Sequence, residues 1–177
     1  MIFRLERCGM KFAHIGDLHI GKRVHDFSML EDQRYILDQM MKIFEEQKVD
    51  GVLIAGDVYD KTVPSAEAVQ LFDEFITGLA KAEIPVYMIS GNHDSAERLS
   101  FGAKLFESSD IYISQVYDGK VKKVGLEDEY GLVNVYLLPF LKPATVRHVL
   151  QRDDEAFAGA VRIKVVVVLF DGDKPKP

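Results

Sequence analysis

Asp17, His19, Asp57 and the run Asn92-His93-Asp94 follow directly on three apolar stretches, KFAHIG, GVLIAG and PVYMISG. Carboxylate oxygens, a carboxamide oxygen and imidazole nitrogens are the donors that hold divalent cations able to activate water against a phosphate ester. Each group stands where a strand should end and a loop begin, and parallel α/β sheets gather ligands at the carboxyl ends of their strands. The three motifs therefore read as the first half of a two-metal phosphoesterase site. No later segment supplies the histidines that would complete two coordination shells, so the chain is expected to be cut short.

In Asp17-Leu18-His19 one residue separates the two ligands, so on extended backbone both side chains point to the same side. Asp57 has two carboxylate oxygens and can bridge two ions at the ~3.5–4 Å spacing of two-metal phosphatases and nucleases. Asn92 offers a neutral oxygen to the second ion. His93 should turn away from Asn92 and either donate a proton to the leaving oxygen or stabilise the transition state. Asp94 is expected to orient His93 and fix its tautomer.

Strands and helices must bring these groups together. Residues 11 to 16, 51 to 56 and 85 to 90 read as strands. Between them, residues 29 to 48 carry Leu30, Ile36, Leu37, Met40, Met41 and Phe44 at helical spacing. A second helix is predicted over 66 to 82, with Ser65 as its N-cap. This β-α-β-α-β order implies a parallel sheet with right-handed crossovers, its three motifs converging along one edge. A third helix is predicted over about 95 to 107. The extended runs DIYISQV, KVKKVGL and VNVYLLPF then suggest a second sheet with antiparallel pairing, followed by a helix over 143 to 158. KVVVVLF would make a good buried strand, whereas DGDKPKP is turn and tail material.

Composition narrows the class. With 177 residues, 47% of them hydrophobic, the chain is expected to form one folded unit rather than a disordered one. The single cysteine, Cys8, excludes an internal disulfide framework and fits a reducing cytoplasm. The opening MIFRLERCG lacks the apolar core of a signal peptide. Residues 1 to 9 read as an extension ahead of a domain starting at Met10. A net charge of −6 argues against tight unaided DNA binding, although cations in an acidic pocket reverse the local sign. Lys22, Arg23 and Arg98, just beyond two of the motifs, either meet a phosphate backbone or are ordinary surface cations.

The segments GDLHIGKRVHDFSMLEDQRYILDQM, IAGDVYDKTVPSAEAVQLFDEF, ISGNHDSAERLSFGAKLF and VNVYLLPFLKPATVR carry a resemblance over residues 10 to 158. The sequence resembles the calcineurin-like metallophosphoesterases, and among them the SbcD-type nuclease subunits. That resemblance implies an α/β two-sheet sandwich flanked by helices, here incomplete at its C-terminus, with residues 159 to 177 an atypical strand and tail. It implies that Asp17, His19 and Asp57 hold one metal, that Asp57 and Asn92 hold the second, and that His93 is the catalytic histidine. It also implies manganese, cleavage of DNA phosphodiesters at ends and hairpins, an SbcC-type coiled-coil ATPase partner and a homodimer. The family has a histidine at the end of a later strand and then a Gly-His-x-His loop, whereas KVVVVLF runs into Phe170-Asp171. Asp171 or Asp173 is a substitute ligand or part of a solvated tail.

Other polar residues have plainer readings. His14 is expected to be a buried, hydrogen-bonded strand residue, His25 a loop residue and His148 a surface helix residue. Asp60, three after Asp57, either supports the site or caps a turn. Two alternatives to a DNA nuclease remain: a non-catalytic metal-binding or dimerising fragment, and a phosphodiesterase acting on a small substrate.

Overall fold

Short apolar runs become strands, and the amphipathic stretches between them become the helices that cover them. The structure, a computed structural model, describes residues 2–4, 9–150 and 165–170. Its strands are β1 (Ile2–Arg4), β2 (Lys11–Ile15), β3 (Arg23–Val24), β4 (Phe27–Ser28), β5 (Gly51–Ala55), β6 (Val86–Ile89), β7 (Ile111–Ile113), β8 (Lys122–Asp128), β9 (Gly131–Leu138) and β10 (Val165–Phe170). Its helices are α1 (Leu30–Gln47), α2 (Ala66–Lys81), α3 (Ala96–Leu99), α4 (Ala103–Phe106) and α5 (Pro143–Leu150), with a 3-10 turn at Glu107–Ser109. Among the described residues no helix is long and apolar enough to cross a membrane.

The main sheet has the order β1-β2-β5-β6-β7, and β2, β5, β6 and β7 run parallel. β1 pairs antiparallel with β2 at one edge. β8, β9 and β10 form an antiparallel sheet with β9 in the centre, and β3 with β4 makes a separate small hairpin. The expected α/β architecture of two sheets and flanking helices is borne out.

Strand alternation decides which layer each side chain enters. On one face of the main sheet Ala13, Ile15, Val52, Ile54, Val86 and Met88 pack with Leu37 and Phe44 of α1 and Leu71, Phe72, Phe75 and Leu79 of α2. On the other face Phe12, Leu53, Tyr87 and Ile89 meet Val124, Val135 and Leu137 of the second sheet. A strand buried on both faces has no room for polar alternation, which explains the unbroken apolar runs that end in each motif. Ser65 caps α2 as predicted, its Oγ accepting from the Ala68 amide at 3.3 Å. Such a cap is worth about 1 kcal/mol.

Three expectations need correcting. DIYISQV does not join the antiparallel sheet: β7 pairs in parallel with β6, because the chain after α4 returns to the open edge of the main sheet. The third helix is broken into α3 and α4 with a turn between them, where Gly102 adopts φ +74° as the residue preceding α4. A left-handed residue cannot continue a right-handed helix. His14 is only half-buried. The helix expected over 143 to 158 is seen as α5, and its remaining residues lie outside the described ones, as do Asp171 and Asp173.

Candidate metal centre

The loops after β2 and β5 are zipped together beyond the strands themselves. The Asp17 amide donates to the Gly56 carbonyl at 3.1 Å, His19 to Asp57 at 2.9 Å and Ile20 to Val58 at 2.8 Å; Asp60 donates back to Ile20 at 3.1 Å. Within this zipper Asp17, His19 and Asp57 take φ values of 54°, 45° and 50°. The left-handed region costs a residue with a Cβ about 1–2 kcal/mol, and such strain collects at functional sites. The second and third loops touch through their glycines. A Cβ on Gly91 would lie 2.1 Å from Asp57 Oδ1, and one on Gly56 2.6 Å from the Gly91 Cα.

One residue from each motif meets where these loops converge: His19, Asp57 and His93 each offer a ligand atom, all within 4.8 Å of one another. Asp57 is only 2% exposed, and its Oδ1 accepts from the His93 amide at 3.0 Å. The two imidazoles meet edge to face, with centroids 4.8 Å apart. Asp17 stands at the mouth, largely exposed, its Oδ1 4.0 Å from His19 Nε2. Asn92 is also exposed.

These residues fit a divalent cation. His19 Nδ1 is buried with no hydrogen-bond partner and lies 3.6 Å from Asp60 Oδ1. An orphaned imidazole nitrogen beside a carboxylate and a second imidazole is a donor set suited to first-row divalent metals. His19 and Asp57 would hold the ion with His93 beside it, and in such a site the ion acts as a Lewis acid on phosphoryl oxygens and lowers the pKa of water.

Asp94 stands differently from the expectation. Its buried carboxylate accepts from the amides of Val58 at 3.2 Å, Tyr59 at 3.0 Å and Gly91 at 2.8 Å, so it staples the second loop to the third rather than orienting the His93 ring. The reason is local: three converging backbone donors satisfy a buried carboxylate better than one imidazole edge would. His93 Nδ1 instead faces the Asp60 carbonyl at 3.2 Å. A carbonyl only accepts, so this contact places a proton on Nδ1. Asp60 thus touches both histidines, by its carbonyl and by its side chain. Burial, with the Asp94 charge second, pushes the Tyr59 hydroxyl up to about 12, so the phenol beside the staple stays protonated.

Two supporting residues escaped the sequence reading. Thr62 Oγ1 donates to the His93 carbonyl at 3.1 Å. The Gln33 carboxamide, from α1, bonds three backbone groups of the first loop. Both looked like ordinary polar surface, and no local pattern marks a side chain that reaches a loop more than ten residues away. Lys22, Arg23, Arg98, His25 and His148 are exposed, and none joins the cluster.

The family model described as calcineurin-like phosphoesterase matches residues 10–173. The chain belongs to this family. It is a metal-dependent phosphoesterase domain whose chemistry is phosphoester hydrolysis, and the superfamily resemblance carried by its motifs is borne out. In a calcineurin-like phosphoesterase the His19, Asp57 and His93 group is a candidate place for a divalent metal.

Proposed function

We propose that this calcineurin-like phosphoesterase is an SbcD-type nuclease domain that hydrolyses DNA phosphodiesters with two divalent metals, manganese being the ion expected. The observation that carries the hydrolytic reading is the meeting of His19, Asp57 and His93, with His19 Nδ1 buried and without a hydrogen-bond partner. The narrower nuclease reading is supported by the text from Gly91 through Gly102, GNHDSAERLSFG, which is more specific than the three motifs alone. In this reading Asp17 joins His19 and Asp57 at the first metal, and Asn92 with Asp57 serves the second. His93 Nε2 faces the leaving oxygen, and Asp94 keeps the loops in register. A homodimer and an SbcC-type ATPase subunit are the partners proposed. DNA repair and recombination are the processes such a nuclease would serve.

The net charge of −6 favours a second reading, hydrolysis of a small phosphodiester, because a long polyanion needs cationic surface that a small ester does not. Both are tested by incubating the 177-residue chain with manganese and either linear duplex DNA or bis(p-nitrophenyl) phosphate, beside the His93→Ala variant. DNA cleavage lost in the variant supports the nuclease. Cleavage of the small ester alone favours the second reading, and no cleavage of either substrate leaves a metal-binding module.

A further inference from the structure

The first motif loop is held from outside the three motifs. Gln33 lies on α1, and its side chain crosses to the loop that carries His19. Its Nε2 donates to the carbonyls of Leu18 at 3.2 Å and His19 at 2.8 Å, and its Oε1 accepts from the Gly21 amide at 2.9 Å. Both amide hydrogens and the oxygen are therefore engaged by three loop residues, Leu18, His19 and Gly21. Two of these, His19 and Gly21, are left-handed, with φ values of 45° and 88°. A loop bent in this way presents carbonyls that the strand ladder cannot reach, and Gln33 satisfies them.

We infer that Gln33 is a positioning residue that holds His19 in its metal-binding orientation. The inference rests on the metal-binding reading given above. Only a carboxamide of this length meets the geometry. Glutamate would set a carboxylate against two carbonyls and lose both donors, asparagine is one methylene short, and leucine leaves the Leu18 carbonyl and the Gly21 amide without this partner and the His19 carbonyl with the Lys22 amide alone. The zipper to the second loop holds the His19 amide, through its bond to Asp57. Gln33 holds the His19 carbonyl, so the two contacts together fix both peptide planes flanking the Cα from which the imidazole projects. Residues that orient a metal ligand typically alter affinity by about 10–100-fold when removed.

The test is calorimetric titration of manganese chloride into the 177-residue chain and into Gln33→Leu, Gln33→Glu, His19→Ala and Phe44→Leu, at a temperature where circular dichroism shows the proteins folded. Phe44 is a buried α1 core residue outside the hydrogen bonds that hold the loop, so it reports what loosening the helix does by itself. The expected result is that both Gln33 variants raise the manganese Kd about tenfold or more. Phe44→Leu should melt earlier with a Kd within about twofold of the parent. Unchanged affinity in the Gln33 variants, an equal rise in Phe44→Leu, or failure of both Gln33 variants to fold would each overturn the inference. Failure to fold would show a role in the whole structure rather than in one loop. Binding lost in His19→Ala but kept in the Gln33 variants sinks the positioning role alone. A parent that binds no manganese, or a His19→Ala chain that binds as well as the parent, removes the metal-binding reading and the inference with it.

Discussion

β2, β5 and β6 are the same strands at both ends of a contrast. Through their middles runs the layer between the two sheets, where Phe12, Leu53, Tyr87 and Ile89 meet Val124, Val135 and Leu137 on regular extended backbone. Two to five residues beyond the strand ends lie Asp17, His19, Asp57 and the loop of Asn92 to Asp94, with three left-handed residues and two buried carboxylates. The first region is apolar and obeys strand geometry; the second is polar and departs from it. Stability and chemistry are thus separated along each strand by a few residues. The strained loops persist because the packed strands below them leave their ends no alternative direction.

The sharpest way to break this contrast is at Asp57. Asp57→Asn is expected to lower phosphoester hydrolysis about 100-fold or more, measured as initial rate with manganese, because the group at the centre of the cluster loses its charge. Asp171→Asn should remain near the parent rate, and equal losses would remove Asp57 from its central role.

From the other side, Phe12→Ala should cost about 3–5 kcal/mol in urea unfolding through the cavity it leaves between the sheets. Its manganese affinity, measured below its melting temperature, should match the parent. A large drop in affinity would mean that the two regions are not separable.

Asp94 sits between the two behaviours, and Asp94→Ala should cost about 2–3 kcal/mol by removing the acceptor of three amides, those of Val58 and Gly91 in buried contacts. Because those amides join the second and third loops, manganese affinity should fall as well. Loss of stability with unaltered affinity would place Asp94 with the core.

The smallest expected effect belongs to His14, whose pKa burial holds below its ordinary 6.5. The unfolded chain then binds the proton more readily, so stability is full above about pH 6.5 and declines as the pH falls below it, until the folded-state value is passed. His14→Gln should flatten that part of the urea-midpoint profile, and an unchanged slope would assign it to other groups.

Much of the site was legible because ligand-bearing residues directly follow apolar runs. From Ile15 to Asp17, from Ala55 to Asp57 and from Ile89 to His93, the end of each strand and the start of each motif are neighbours in sequence. The partners of Asp94 were not legible. A carboxylate next to a histidine in sequence suggests pairing with it, yet the backbone turn points Asp94 inward to amides of another loop. The role of β7 was hidden for a related reason: three residues of β-branched and aromatic text suit either sheet equally, and only the open edge beside β6 decides.

By itself the sequence determined the family, the α/β order of elements and the identity of the candidate ligands, because periodicity and local motif spacing are properties of neighbouring residues. Tertiary structure alone decided that His93 lies with His19 and Asp57, that Asp94 staples loops, and that Gln33 reaches the first loop from α1. Those are contacts between residues far apart in the chain, and their geometry exists only once the strands have been packed side by side.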